Sequence, residues 1–389
     1  MRVGRHPAMC RVVVVALTAV TAAFASPAGA ARGPDPLRDR QWSHERIRVA
    51  EAWRHSTGRG ALVALLDSGV DFRHPDLPRK FVVPRGADVV DPDGCLDNTC
   101  RDDGPRDIDG HGTAVAGVIG AVTGNGIGIA GLAPSARLMP VRIVSPTGPS
   151  FRALAQGLRF AADHGADVIG VWVAFPELPH ALSDNGVSGE QANGQPAGSV
   201  AEVYAAVEYA WSRGAVIIAS AGNGWPSGSI VDDSLPPSGP GKPECGVPAV
   251  HPLVLCVGAV DRQDQRAYYS DYRPLGSDML MVGPSGGDVT GGPLASTVPC
   301  ADRLVTTALT GATRACPGDL PAGYTTVSGT TGGTAHVVAV AALLAAQGRT
   351  QQQIVDVLRA TAVDLGVPGT DPFYGRGRVD ALAAVTAPR

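Results

Sequence analysis

The chain has 389 residues, of which 44% are apolar and 17% charged, and its formal net charge is −4. This apolar content suffices for a large buried core, and the small negative charge gives no reason to expect nucleic acid or an anionic membrane surface as a partner. Beyond the N-terminal segment, which we interpret below as a cleaved signal peptide, no stretch reaches the roughly 18 uncharged apolar residues that span a bilayer. We therefore expect no membrane association once that segment is removed.

The N-terminus has the pattern of a secretory signal peptide. Arg2, Arg5 and Arg11 precede or begin an apolar run over residues 12–25, and Ala28-Gly29-Ala30 follows it. A basic region, a short apolar core and an A-x-A site predict cleavage and export, so we expect a secreted, extracellular protein. A membrane anchor is the alternative interpretation, although the apolar run is short for that role.

The domain organisation that we predict is simple. Residues 1–30 form the signal peptide, residues 31–40 a short polar leader, and residues 41–389 a single domain. No internal repeat and no interdomain linker interrupts the last segment. A single α/β domain of this length is common.

The cysteines indicate local disulfide bonds. Cys10 lies before the apolar core of the signal and leaves with it, so an even number remains for an oxidising compartment. The sequence permits many pairings, but the residues fall into neighbouring couples, which are Cys95–Cys100, Cys245–Cys256 and Cys300–Cys316. None of them shows the C-x-x-C or Cys/His spacing of a zinc site.

Strands and helices alternate along the domain. A helix is predicted over 47–55, a fully apolar strand over 61–66, an irregular acidic loop over 85–110 and a small-residue helix over 114–121. Further strands are predicted over 138–144, 168–175, 215–219 and 253–260, and further helices over 153–164, 200–213, 351–361 and 379–385. This alternation predicts a mostly parallel sheet with helices on both faces.

Three junctions in this pattern carry chemically useful side chains. Asp67 follows the buried strand 61–66, and His111 lies between two glycines at a helix start. A turn rich in glycine and threonine, with Thr331 at its centre, leads directly into an apolar helix. Ligands and catalytic groups of open α/β sheets collect at the carboxyl ends of strands, so these side chains can meet there. Taken singly, Asp67 could equally cap a turn and His111 could equally be structural, without any catalytic role.

Together the three positions have the composition of a nucleophilic triad. A base accepts the proton of a hydroxyl nucleophile, and an acid fixes the tautomer of the base. Four motifs follow one another along the chain. Two contain the acid and the base, Leu66-Asp67-Ser68-Gly69-Val70 and Gly110-His111-Gly112-Thr113, the third is Ala221-Gly222-Asn223, and the fourth, Ser328-Gly329-Thr330, directly precedes Thr331. Several separate motifs in one order are unlike a chance agreement.

Through these motifs the chain resembles the subtilase (subtilisin-like, S8-type) serine protease family over roughly residues 41–385. The resemblance implies a subtilisin-like three-layer α/β sandwich and the hydrolysis of peptide bonds. It also implies a peptide or protein substrate, a monomer, and chemistry that requires no cofactor. Asp67 is then the orienting acid, His111 the general base and Asn223 the donor to the oxyanion. A turn asparagine that tolerates positive φ is the alternative for Asn223.

One departure from the family pattern concerns the nucleophile. The family has Gly-Thr-Ser-x-Ala-x-Pro where this chain has Gly329-Thr330-Thr331-Gly332-Gly333-Thr334-Ala335. Thr331 therefore stands at the serine position, and its β-methyl group restricts χ1 and crowds the site. Two hypotheses follow. The protein is an endopeptidase with a handicapped nucleophile, or it is a catalytically inactive pseudoprotease that serves as a secreted peptide-binding or scaffold protein.

A second departure concerns the substrate strand. The resemblance places Trp172, Val173 and Ala174, together with Gly222, beside the substrate. A strand there pairs with a peptide through its backbone. Trp172 and Ala174, however, put bulk where the family keeps small groups.

Asp76 is the candidate metal ligand. It matches a carboxylate that binds calcium in many relatives, and the glycine-rich loop 124–128 resembles the loop that supplies carbonyl oxygens. A carboxylate that only caps a turn is the alternative.

The segment Gly283-Pro284-Ser285-Gly286-Gly287 also satisfies the G-x-S-x-G pattern of α/β-hydrolases. That nucleophile elbow needs a strand before it and a helix directly after it. The residues that follow include Gly291-Gly292-Pro293, which do not begin a helix, so we do not expect Ser285 to be a nucleophile.

Overall fold

The structure is a computed structural model. It describes residues 1, 33–77, 86–90, 106–107, 109–145, 148–175, 198–224, 244–273, 280–285, 302–310 and 320–389. Its contacts divide the chain into two units, Met1–Arg32 and Gly33–Arg389, and the second unit contains the elements below. The predicted signal peptide falls outside the described residues except for Met1, and so do the predicted pairs Cys95–Cys100 and Cys300–Cys316.

A parallel sheet forms the centre of the described part of the chain. Its seven strands, in spatial order, are β2 (Ala87–Asp88), β3 (Arg137–Arg142), β1 (Leu62–Asp67), β6 (Val168–Val171), β7 (Val216–Ser220), β8 (Val254–Val260) and β9 (Leu280–Pro284). Two antiparallel hairpins accompany it, β4–β5 (Val144–Ser145 and Gly148–Pro149) and β10–β11 (Leu304–Thr307 and Tyr324–Val327). The strands β2 and β3 lie on one side of β1, and β6 to β9 lie on the other side, so the direction in which strands are added reverses next to β1.

Helices cover both faces of the sheet. They are α1 (Trp42–Arg46), α2 (Val49–Ala52), α3 (His111–Gly120), α4 (Phe151–Asp163), α5 (Val200–Ser212), α6 (Thr330–Ala345), α7 (Gln351–Thr361) and α8 (Ala381–Thr386). The apolar residues of β1 alternate between the faces, as a strand buried on both sides requires. Val63 and Leu65 pack with α3 and α6, whereas Leu62 and Leu66 pack with α4 and α5. The predicted three-layer α/β sandwich is confirmed.

Two of the predicted elements differ from the structure. The helix predicted over 47–55 is shorter in the structure, where α2 covers only Val49–Ala52. Arg48 has φ 57°, in the left-handed region, and separates α2 from α1. The strand predicted over 168–175 ends at Val171. The chain then leaves the sheet, and Phe175 pairs with Val247 in an isolated antiparallel bridge. The strands β2, β5, β9, β10 and β11 were not predicted, and β2 lies within the segment that was predicted to be an irregular loop over 85–110.

The predicted disulfide between Cys245 and Cys256 is confirmed. It links β8 to the segment that precedes that strand, and both residues are fully buried in the layer that α4 and α5 cover. Within the described part of the chain, no helix combines the length and hydrophobicity that crossing a bilayer requires.

Candidate active site

Asp67 and His111 meet at the carboxyl edge of the sheet. Asp67 is the last residue of β1, and His111 is the first residue of α3. The Nδ1 atom of His111 lies 2.8 Å from Oδ1 and 2.9 Å from Oδ2 of Asp67, and both side chains are buried. Because a carboxylate only accepts hydrogen bonds, Nδ1 carries the proton and Nε2 is left as an acceptor.

Thr331 lies on the other side of the imidazole. It is the second residue of α6, and its Oγ1 atom is 3.2 Å from Nε2 of His111. The neutral tautomer that Asp67 selects accepts a hydrogen bond from a hydroxyl at this distance. The structure therefore brings together the acid, the base and the hydroxyl in the relay that proton abstraction from Thr331 requires.

Asp107 holds the loop that carries His111, and the sequence analysis did not single it out. Its Oδ1 atom accepts hydrogen bonds from the Ser68 hydroxyl at 2.8 Å, from Asp109 N at 3.1 Å and from Gly110 N at 2.9 Å. Its Oδ2 atom accepts from the backbone and the hydroxyl of Thr113. One carboxylate thus connects the end of β1 to the first turn of α3. An acid four residues before the histidine was the only signal in the sequence.

Asp109 places a second carboxyl group next to the base. Its Oδ1 atom accepts a hydrogen bond from His111 N at 2.7 Å, and among the described residues no donor reaches its buried Oδ2 atom. Burial raises the pKa of this carboxyl to about 6, against the opposing effects of the charge and the backbone N–H of His111. A group near His111 therefore changes its charge at mildly acidic pH.

Asn223 follows β7 and contacts the turn that presents Thr331. Its Oδ1 atom accepts from the backbone N–H of Thr330 at 2.8 Å and from the Thr330 hydroxyl at 2.9 Å. Because the Thr330 N–H can only donate, the atom of Asn223 that faces it must be the oxygen. The Nδ2 atom of Asn223 therefore points away from Thr330 N and remains a donor. A Cβ atom added to Gly329 would lie 3.2 Å from Nδ2, so the donor lies beside the turn that presents Thr331.

Gly222 precedes Asn223 and is braced by Asp271. A Cβ atom at Gly222 would lie 2.1 Å from Oδ2 of Asp271, and the other carboxylate oxygen accepts from Gly224 N at 3.1 Å. The backbone N–H of Asp271 donates to Gly222 O at 3.0 Å. Asp271, which lies 49 residues after Gly222, was not identified from the sequence.

The predicted substrate segment follows β6 directly. Trp172 and Val173 are buried, and Ala174 lies against Gly246, where an added Cβ atom would be 2.9 Å from that of Ala174. The indole of Trp172 points towards α6, and its Nε1 atom donates to the carbonyl oxygen of Thr331 at 3.1 Å. Trp172 as a whole residue is 4% exposed.

Ser285 also belongs to the surroundings of Thr331. The strand β9 precedes it, as a nucleophile elbow requires, but residues 286–301 fall outside the described part of the chain. The Ser285 hydroxyl is buried and donates to the carbonyl oxygen of Gly329. It therefore supports the turn that precedes α6.

The surroundings of Asp76 do not fit a calcium ion. Its Oδ1 atom accepts from the side-chain amide of Asn125 at 2.6 Å, and its Oδ2 atom accepts from Ile129 N at 2.9 Å and from the Tyr324 hydroxyl at 3.1 Å. These partners are hydrogen-bond donors, whereas calcium needs converging oxygen acceptors. Among the described residues, no group of three or more His, Cys, Asp or Glu side chains is placed to hold a metal ion.

Comparison with known proteins agrees with this geometry. Thermitase of Thermoactinomyces vulgaris is 32% identical over 353 residues, a match that covers 90% of this chain and 98% of thermitase. A thermophilic serine proteinase of Bacillus sp. (strain AK1) is 31% identical, over 86% of this chain and 64% of that protein. A protease structure from Pseudoalteromonas arctica PAMC 21717 superimposes with a TM-score of 0.64 at 25% identity, and the match covers 91% of this chain and 98% of that one.

The model of the subtilase family matches residues 58–377, a segment that contains Asp67, His111, Asn223 and Thr331. Family members are serine peptidases that act on peptides or proteins and need no cofactor for the chemistry. This chain belongs to the subtilase family, because the family model matches most of it and because it shares the fold and the arrangement of acid, base and hydroxyl.

Proposed function

We propose that the protein is a secreted endopeptidase that cleaves peptide bonds through an acyl-enzyme formed on Thr331. The observation that supports this most directly is the continuous relay from Asp67 through His111 to the Thr331 hydroxyl, at 2.8 Å and 3.2 Å. A pseudoprotease has no need to keep this relay intact.

In the proposed reaction, Nε2 of His111 takes the hydroxyl proton while Oγ1 of Thr331 forms a bond to the peptide carbonyl carbon. Asp67 stabilises the imidazolium that results. The negative oxygen of the tetrahedral intermediate accepts from Nδ2 of Asn223, whose Oδ1 atom is already held by Thr330. His111 then returns the proton to the leaving amine as the C–N bond breaks, and a water molecule hydrolyses the ester by the same steps.

Substrate contacts are assigned to the backbone of Trp172, Val173 and Ala174 on one side of the peptide and to Gly222 on the other. The side chains of Trp172 and Val173 are buried, so these residues would pair with substrate through main-chain groups. Secretion as a monomer is part of the same proposal. Support for secretion comes from the pattern of residues 1–30.

A pseudoprotease is the second candidate, and the threonine itself favours it. An additional methyl group on the nucleophile must find room beside His111 or beside the incoming carbonyl, and a misplacement of about 1 Å can cost on the order of 10² in rate. Threonine nucleophiles of another kind use their own N-terminal amine as the base, but Thr331 is internal and depends on His111.

The purified mature protein, Thr331→Ser and Thr331→Ala should be compared on unfolded casein and on a fluorescent fluorophosphonate. We expect the native protein to cleave casein slowly, Thr331→Ser to be about 10²-fold faster, and Thr331→Ala to be silent. His111→Ala serves as the control, because it removes the base and keeps the hydroxyl.

Equal silence of the native protein and Thr331→Ala, with cleavage by Thr331→Ser, would show a pseudoprotease on an intact scaffold. Silence of all three proteins would contradict the proposal as well. It would also indicate that the segment 172–174, and not the methyl group of Thr331, prevents cleavage.

A further inference from the structure

Four consecutive carbonyl groups around Thr331 accept hydrogen bonds from buried side chains. The pairs are Gly329 O with Ser285 Oγ, Thr330 O with Thr334 Oγ1 at 2.8 Å, Thr331 O with Trp172 Nε1 at 3.1 Å, and Gly332 O with His336 Nδ1 at 2.7 Å. A helical carbonyl normally bonds only to the N–H four residues later, although its oxygen has a second lone pair. The peptide planes that present Thr331 are therefore held by more than the helix itself.

The four donors differ in what they fix. Thr334 and His336 belong to α6, so their bonds move together with that helix. Ser285 follows β9 and Trp172 follows β6, so these two tie the helix start to the sheet. Of the four, Trp172 is the residue that bonds to the carbonyl of Thr331 itself.

The indole of Trp172 occupies space that Gly170 leaves open. A Cβ atom at Gly170 would lie 2.3 Å from Cη2 and 2.6 Å from Cζ3 of Trp172, and 3.1 Å from Cγ2 of Val338 on α6. The backbone of Trp172 is held as well, since its N–H donates to Leu66 O at 3.4 Å. The ring is thus confined between β6 and α6 with its N–H directed at one carbonyl.

We propose that Trp172 is a positioning residue for Thr331, and that Gly170 is the small residue that makes this position available to the ring. The indole N–H fixes the peptide plane that follows Thr331 and so the direction in which its hydroxyl meets His111. This inference rests on the proposed function only for its catalytic consequence, because the hydrogen bond itself does not depend on activity.

The expected consequence is kinetic. The Thr331 hydroxyl lies 3.2 Å from Nε2 of His111, close to the limit of a useful hydrogen bond, so a small rotation of the helix start breaks the contact. Loss of the indole donor should slow the attack of the nucleophile and leave substrate affinity nearly unchanged, since the ring is buried and out of reach of a substrate.

The test uses Trp172→Phe, which removes the N–H and keeps an aromatic ring, and Gly170→Ala, which displaces the ring and keeps the N–H. Trp53→Phe is the matched control, because Trp53 Nε1 makes the same kind of bond, to Leu132 O at 2.9 Å, away from the site. Each variant is made in the native and in the Thr331→Ser background. The readouts are amide hydrogen exchange of the peptide 329–336, and the limiting rate and apparent affinity of labelling by a fluorophosphonate.

We expect Trp172→Phe and Gly170→Ala to accelerate exchange in the 329–336 peptide and to lower the limiting labelling rate about tenfold at constant affinity, with Trp53→Phe unchanged in both. Unaltered exchange in Trp172→Phe would overturn the proposal. Faster exchange with an unaltered labelling rate would overturn it too, since the bond would then be structural only. If Thr331→Ser is not labelled at all, the proposed function fails, and the exchange comparison alone decides whether Trp172 holds the turn.

Discussion

At the scale of single residues, the site is an arrangement of hydrogen-bond acceptors around a few donors. The carboxylate of Asp67 orders the imidazole of His111, and that of Asp107 orders the loop before it. The χ1 angle of Thr331 is restricted in this arrangement, because its hydroxyl must reach Nε2 of His111 while its β-methyl group avoids both the imidazole and a substrate. Asp109 adds a charge that depends on pH next to the same imidazole.

Asp109 should make stability depend on pH. Its carboxyl has a pKa of about 6 in the folded protein, against 3.8 ordinarily. Between these values the folded state binds more protons than the unfolded state, so the contribution of this group to the free energy of unfolding falls as pH rises from about 4 to about 6. Asp109→Asn cannot ionise and should lack this fall. The difference in unfolding free energy between the two proteins should change by on the order of 1 kcal/mol, after allowance for solvent screening.

Urea denaturation of both proteins at intervals from pH 4 to pH 7 measures this difference. Asp163→Asn is a suitable control, because Asp163 lies at the end of α4, remote from His111. A difference that stays constant over this pH range would show that Asp109 titrates normally.

At the scale of elements, the site depends on the contact between the end of β1 and the beginning of α3. A Cβ atom at Gly112 would lie 2.0 Å from the carbonyl oxygen of Gly69 and 3.2 Å from Oδ1 of Asp67. The Ser68 hydroxyl joins the same contact, since it accepts from Gly112 N at 3.0 Å. The two elements can approach closely enough for His111 to reach Asp67 only because residue 112 has no side chain.

Gly112→Ala should therefore damage both stability and activity. A methyl group that meets backbone atoms forces the two elements apart, which typically costs about 1–3 kcal/mol. We expect a lower melting temperature and a lower kcat, measured by calorimetry and by casein cleavage in the Thr331→Ser background. Gly33→Ala is the matched control, because nothing lies within 4 Å of a Cβ atom there. Equal melting temperatures of the two variants would contradict the close packing of β1 and α3.

At the scale of the whole molecule, two apolar layers stabilise the sheet from opposite faces. The layer around α6 contains the helix that presents Thr331, and the layer around α4 and α5 contains the Cys245–Cys256 bond. This bond closes a loop with a sequence separation of 11 between its cysteines, so it restricts the unfolded chain next to β8.

Replacement of both cysteines by alanine should lower the free energy of unfolding by about 2–3 kcal/mol, as expected for closure of a short loop. Asp67, His111 and Thr331 are not in contact with this bond, so fluorophosphonate labelling of Thr331→Ser should persist at temperatures below the new melting point. Calorimetry of the double variant and its parent measures the first effect. A melting temperature that does not change would mean that the bond adds nothing to stability.

The sequence predicted β1, β6, β7 and β8, because a strand buried on both faces shows a continuous apolar run locally. It missed β9, although residues 280–282 form an apolar run of the same kind. It did not predict β10 and β11, whose threonine-rich segments lie 16 residues apart and pair only in three dimensions. Nor did it predict the break at Arg48, since a single left-handed residue leaves no mark on hydrophobic periodicity. Asp76 illustrates the same limit, because its partners Asn125 and Tyr324 are 49 and 248 residues away.

What the sequence determined by itself is the set of candidate reacting groups. Asp67, His111, Asn223 and Thr331 each stand in a short motif at a strand end or a helix start, and local chemistry marks such positions. Only the tertiary structure decided which groups hold them in place. The indole of Trp172 could have faced a substrate or the core, and its direction depends on the space above Gly170 and on a carbonyl 159 residues away. Such contacts join distant parts of the chain, so they follow from packing and leave no pattern in the local sequence.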